Sequence, residues 1–180
     1  NGFVKADNGV FEINAANPTF AGTTTINAGA VRLSNATGLG TSVISISPGA
    51  AVTGAALQLN GVSIGNTVNL QGNNNVARGG INFGGQLQAV GGGASTTTGQ
   101  VQVLFDAVIG ADNGATLNLN GGIHNTSGSG RALIFNAQGT GIINVNSNIT
   151  SATTPTANQY FAVRKFGTGT LNFTTANTVI

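Results

Sequence analysis

Apolar residues recur along this chain in doublets split by one other residue. Phe11/Ile13, Val31/Leu33, Ile44/Ile46, Leu57/Leu59, Val68/Leu70, Ile81/Phe83, Leu117/Leu119, Leu133/Phe135, Ile143/Val145 and Leu171/Phe173 follow this rule, and Val101/Val103/Phe105 extends it by one step. Period-two alternation places successive side chains on opposite faces of an extended strand, one buried and one wet. Gly or Asn closes most doublets, and no 3.6-residue pattern spans three turns, so the chain is expected to hold almost no helix.

Some doublets belong to true repeats. Ala6-Asp-Asn-Gly9 recurs as Ala111-Asp-Asn-Gly114, and Gly139-Thr-Gly-Ile-Ile-Asn-Val145 matches Gly167-Thr-Gly-Thr-Leu-Asn-Phe173. A Gly-bearing turn leads each time into apolar–polar–apolar, so that two side chains drop into a core after a φ > 0 bend. The ends also match: Lys5–Asn17 aligns without a gap on Lys165–Asn177, with Lys, Gly9/Gly169, Ala16/Ala176 and Asn17/Asn177 identical.

Short, evenly spaced strands fit either a β-sandwich or a parallel β-helix. The hairpin signals Asn60-Gly61, Asn113-Gly114 and Asn120-Gly121 serve both, as sandwich turns or as solenoid corners. Repeats that read in one direction, and a chain that matches itself across its ends, favour the second. The expectation is all-β, a right-handed parallel β-helix, with the β-sandwich as the alternative. At about twenty residues per coil it would have roughly nine rungs and a length of roughly 40 Å. Residues 1–180 read as a single solenoid segment, one period of about 160 residues from a longer array. Gly91–Gly99, and after it Ser151–Asn158, are expected as loops or loose rungs. Phe11, Ile13, Leu117, Leu119, Ile143, Val145, Leu171 and Phe173 are expected to point inward.

Composition narrows the function. Charged residues are 6%, against about a quarter in ordinary domains, while hydrophobic residues are 40%. That excludes plain disorder, which couples low hydrophobicity to high charge. Arg32, Arg78, Arg131 and Arg164 are scattered rather than clustered, so the net charge of +2 gives no footprint for nucleic acid. The absence of Cys removes disulfides, thiolate metal sites and Cys nucleophiles. No apolar run approaches the about eighteen residues of a membrane span, and no signal peptide is visible.

The stretch Lys5…Gly9-Val-Phe-Glu-Ile-Asn…Asn17-Pro-Thr-Phe20-Ala-Gly22-Thr-Thr-Thr-Ile-Asn-Ala-Gly29-Ala-Val-Arg-Leu33 resembles the autotransporter-associated β-strand repeat of bacterial passenger domains. Phe20-Ala-Gly22 stands at the family's aromatic-x-Gly position, and Lys165–Asn177 looks like the start of a next copy. The middle of the chain fits only as degenerate rungs. The resemblance implies a β-helical, surface-exposed or secreted segment, and implies no activity.

Residues that carry chemistry are few. Gly61-Val-Ser63-Ile-Gly65 spells a nucleophile elbow, followed by Asp106 or Asp112 and then His124 in hydrolase order. No helix pattern follows Ser63, so a surface Ser between turns is the expectation. The four acids Asp7, Glu12, Asp106 and Asp112 are read as turn residues rather than as an acid/base pair. The Asp7-Asn-Gly and Asp112-Asn-Gly turns offer oxygens, but a cation needs about six to eight, and the lone His124 suits no His-based site. Thr23–Thr25 and Thr96–Thr98 are similar to the threonine rows of ice-binding solenoids but do not by themselves make a row. Asn73–Asn75 and the single Asn residues fit stacked ladders.

The expected function is a structural, non-catalytic segment of a bacterial surface or secreted repeat protein, a stalk or adhesin. The alternatives are an extracellular filament subunit joined head to tail and a carbohydrate-active β-helix enzyme. No catalytic, cofactor or metal residues are assigned. Expected partners are neighbouring repeats or copies of itself and host or surface glycans, with no nucleic acid and no membrane span, at an extracellular or cell-surface location.

Overall fold

The computed structural model describes residues 2–48, 54–72, 84–127, 131–151 and 162–175. In chain order the strands are β1 (Phe3–Lys5), β2 (Val10–Ile13), β3 (Thr24–Ile26), β4 (Gly29–Leu33), β5 (Ile44–Ile46), β6 (Ala55–Leu59), β7 (Ser63–Ile64), β8 (Val68–Leu70), β9 (Leu87–Ala89), β10 (Ala94–Thr97), β11 (Val101–Val103), β12 (Ala107–Ala111), β13 (Thr116–Leu119), β14 (Ile123–Asn125), β15 (Ala132–Ala137), β16 (Ile142–Val145), β17 (Ile149–Ser151), β18 (Ala162–Phe166) and β19 (Thr170–Phe173). They form three sheets. Sheet I is β1-β3-β5-β8-β11-β14-β17, sheet II is β2-β4-β6-β9-β12-β15-β18, and sheet III is β7-β10-β13-β16-β19. The described strands β1–β5 alternate between sheets I and II, from β6 on the chain visits all three sheets in turn, and every pairing is parallel. This is a β-solenoid, and no helix occurs among the described residues.

The β-sandwich alternative is overturned, because no antiparallel pair occurs among the described strands. Asn60-Gly61, Asn113-Gly114 and Asn120-Gly121 lie where the chain crosses from one sheet to the next, not in hairpins. Nine rungs are not confirmed among the described residues. The described strands stack at most seven deep, which spans about 30 Å at the usual strand spacing. The rung is longer than expected. In-register partners are 20 residues apart at Phe11/Val31 and 30 apart at Leu57/Leu87.

In-register stacking builds the core. Val31, Leu57, Leu87, Ile109 and Phe135 form one fully buried inward column of sheet II. Ile26, Ile46, Leu70 and Val103 do the same in sheet I. Each such side chain contributes about 1.5–3 kcal/mol by leaving water. Some polar groups drawn inside are bonded: Thr24 Oγ1 lies 3.1 Å from Ser42 Oγ, and Asn66 Nδ2 donates to the carbonyls of Gly40 and Ser42.

Of the eight expected core residues, Leu117, Leu119, Ile143 and Val145 are fully buried. Phe11 and Phe173 are 46% and 45% exposed, and Ile13 and Leu171 are half-buried. Their register is nonetheless inward, since Phe11 pairs with buried Val31 and Phe173 with buried Val145. They lie on the outermost described strands, where a core column has a neighbour on one side only. The rings there lean on what is present: Phe11 on Phe3 at 5.3 Å, and Phe173 edge-on to Phe135 at 6.2 Å.

Sheet II is closed on both faces at its central strands. All residues of β6 and β12 are buried, which explains why Ala107-Val-Ile-Gly-Ala111 shows no alternation. Gly110 is required here because a Cβ would overlap the carbonyl oxygen of Gly84, which crosses the outer side of this sheet. Of the loop or loose rung expected at Gly91–Gly99, the loop is corrected: Ala94–Thr97 is the strand β10, bonded to β7 and β13. Most of the second expected loop lies outside the described residues, and Ser151 ends β17.

The matching end segments share a local path but not a location. In both, a Lys lies at or next to the end of a strand, its amine donates to the carbonyl two residues on (Asp7 or Gly167), and a second strand follows. The first copy runs from sheet I to sheet II, whereas the second runs from sheet II to sheet III. The repeated turn is therefore a module that fits more than one corner. Ala6–Gly9 and Ala111–Gly114 differ in the same way, and Gly9 and Gly114 both take positive φ, 94° and 78°.

Burial separates the middle of the stack from its outermost strands. Leu119→Ala is expected to cost about 2–5 kcal/mol in denaturant unfolding. Phe173→Ala is expected to cost less than half as much, although the removed side chain is larger.

Candidate functional site

The residues singled out for hydrolysis do not converge. Ser63 is exposed on β7 of sheet III, and His124 is on β14 of sheet I, where its Nδ1 lies 2.7 Å from Thr150 Oγ1. Register separates their rungs by two steps, Asn69 to Gln102 to His124. Ser63 leads into the end of a two-residue strand rather than into a helix.

The acids are dispersed as well. Asp106 and Asp112 flank a strand, not a turn, and stand at its opposite ends, about 20 Å of extended chain apart. Asp106 Oδ1 accepts from the amide of Ala132 at 2.8 Å. Glu12 Oε1 accepts from Ser34 Oγ at 2.8 Å on the outer side of β2, while Asp7 lies in the preceding corner. At the second Asp-Asn-Gly turn, Asn113 Oδ1 already takes the amide and hydroxyl of Thr140, at 2.9 and 3.1 Å. No group of three or more His, Cys, Asp or Glu residues able to hold a metal occurs among the described residues.

Two polar constructions do emerge from the stacking. On the outer side of sheet II, Arg32 donates through Nε and Nη2 to Gln58 Oε1, at 3.1 and 2.9 Å. Gln58 Nε2 donates to Gln88 Oε1 at 3.2 Å, and Gln88 Nε2 donates to Asp112 Oδ1. Every donor points the same way, from the guanidinium to the carboxylate. The row thus sets a cation and an anion at its ends and polarises the amides between them. Gln58, Gln88, Asp112 and Gln138 line a polar recess of about 440 Å³ there. Phe3, Phe11, Ile13, Phe20 and Leu39 line an apolar hollow of about 500 Å³ over the outermost strands at the other end of the core.

The second construction is the outer face of sheet III. Its register places Thr96, Asn118, Asn144 and Asn172 in one outward column. Asn118 Nδ2 donates to Thr96 Oγ1 at 3.4 Å, Asn144 Nδ2 to Asn118 Oδ1 at 2.8 Å, and Asn172 Nδ2 to Asn144 Oδ1 at 2.8 Å. Ala94, Thr116, Ile142 and Thr170 form the column on one side. On the other side Asn146 Nδ2 donates to Asn120 Oδ1 at 2.8 Å and Thr174 Oγ1 to Asn146 Oδ1 at 2.7 Å. The expected ladders are present for single Asn residues and run along a strand centre as well as a corner; Asn73–Asn75 lie outside the described residues. The signal was the recurring apolar-Asn-apolar triplet. The glutamine row carries no such signal, because its members come from unlike segments.

The threonine clusters split. Thr24 faces inward and Thr25 joins a mixed column on sheet I, while Thr96 enters the asparagine column. Thr97 faces the core, and its Oγ1 is buried without a hydrogen-bond partner.

No family model, curated relative or solved structure matches the chain.

Asn144 sits in mid-ladder and Asn172 on its outermost strand. Asn144→Ala removes two side-chain bonds and should cost about 1–2 kcal/mol, and Asn172→Ala, which removes one, about half of that, in denaturant unfolding. Thr97→Val keeps the β-branched shape and removes an unbonded buried hydroxyl. It is expected to raise stability by about 1 kcal/mol, read as a higher denaturation midpoint.

Proposed function

We propose that this chain is a structural, non-catalytic segment of a bacterial surface or secreted repeat protein, one period of a stalk or adhesin. The observation that carries this reading is the continuity of the stack. Unbroken apolar columns run along the solenoid, and side-chain ladders run beside them on its surface, so each rung rests on its neighbours. Such a body resists extension by loading many parallel backbone bonds together. The coil is right-handed, as parallel crossovers nearly always are. The resemblance of residues 5–33 and 165–177 to the passenger repeat supports the surface location.

The period is about 160 residues, and the placement of its two turn modules gives it an unusual consequence. Lys165–Phe173 lies one side of the three-sided coil further round than Lys5–Ile13. Successive copies in an array would therefore each be turned by one side. A second reading, a filament joined head to tail, draws on the half-exposed Phe11 and Phe173, which would stack on a further rung from another copy.

A fusion of residues 1–164 to residues 5–180 keeps the period and tests the array. It should unfold in one transition, with a larger denaturant slope and a higher midpoint than a single copy. Two independent transitions at the single-copy midpoint would sink the reading. Concentration-dependent fibres from a single copy would favour the filament.

A further inference from the structure

We propose that the outer face of sheet III binds an uncharged, extended β-linked glycan lying along the solenoid axis. This deepens the surface reading by naming a partner.

The face is distinguished by charge. The chain has only ten charged side chains, and no Asp, Glu, Lys, Arg or His lies in the five strands of this sheet. An acidic polysaccharide or a phosphorylated ligand would find no cation here, whereas a neutral hydroxyl-rich chain meets no charge to desolvate. The face is also regular. The central column offers one amide per rung in Asn118, Asn144 and Asn172, at a spacing of about 4.8 Å. An extended β-linked pyranose chain advances by a similar step per ring, so each ring can meet one amide.

The amides are both oriented and available. Ladder bonds fix Asn118 and Asn144 in place, yet each keeps one N–H and one carbonyl lone pair for a ligand, the pair of functions that recognises a sugar hydroxyl. Because the ladder already holds the rotamers, binding orders little that was free. The neighbouring column supplies the Thr116 and Thr170 hydroxyls and the apolar side chain of Ile142 against the C–H edge of the ring.

The test is co-sedimentation of the chain with insoluble cellulose, chitin, xylan and mannan, all of them β-1,4-linked. Wild type should be retained by at least one. Thr116→Lys/Thr170→Lys flanks the amide column without removing a ladder bond and should weaken retention at least tenfold. Gln102→Lys, on the outer side of sheet I, should leave it unchanged. All variants should keep the wild-type unfolding midpoint; if the double variant does not, Thr170→Lys alone, at an exposed position on the outermost strand, should still weaken retention. Retention by none of the four, or equal loss in the sheet I variant, overturns the proposal. So does inhibition of ice recrystallisation that disappears in the same face variant, which would assign the face to ordered water. The fusion experiment reads folding and this one reads binding, so either can fail alone.

Discussion

Everything in this molecule depends on parallel strands stacking in register. A parallel pair places like positions side by side, so a side chain that faces inward in one rung faces inward in the next. One decision about register fixes a whole column, and a slip of one residue would send every apolar side chain of that strand to the other face. The cost of a slip grows with the number of columns it would break. This is why a chain with rungs of unequal length, 20 residues at Phe11/Val31 and 33 at Val68/Val101, still keeps its columns aligned: the corners absorb the difference and the strands do not.

The same constraint organises the surface. Outward side chains are brought into columns as strictly as inward ones, and short amides then find each other one rung apart. On sheet III this yields an asparagine ladder without charge. On sheet II it yields a row that begins at Arg32 and ends at Asp112. The two faces are chemically opposite although both are built from carboxamides. The difference is burial: sheet II is closed on its outer side at its central strands and holds its polar groups by internal bonds, whereas the central amides of sheet III face solvent with bonding capacity left over.

The outermost strands show what stacking supplies by what they lack. Phe11 and Phe173 have inward register but about half their surface in water. The lysines that open the matching end segments pair with core positions, Lys5 with Ile26 and Lys165 with Phe135. Each directs its amine back to a corner carbonyl, which keeps the charge out of the column while its methylene stem stays over it.

The alternating doublets by themselves determined that the chain would be all-β, and the directional repeats and shared turn rule pointed to a solenoid rather than a sandwich. Strands with one wet face, such as Leu117-Asn-Leu119, were legible because alternation is a local signal. Ala107-Val-Ile-Gly-Ala111 was not, because burial on both faces erases alternation, and Ala94–Thr97 was hidden among glycines and threonines. Rung length was underestimated, since corner length has no periodic signature. The amide column was half legible, as a recurring apolar-Asn-apolar triplet, but which triplets align needed the register, since Val68-Asn-Leu70 belongs to sheet I. Only the tertiary structure decided that Asp106 and Asp112 stand at opposite ends of a strand, that Gln58 and Gln88 meet across 30 residues, and that the two matching ends occupy different corners. A sequence carries the periodicity of each strand, whereas which strands become neighbours is set by how much chain each corner takes up.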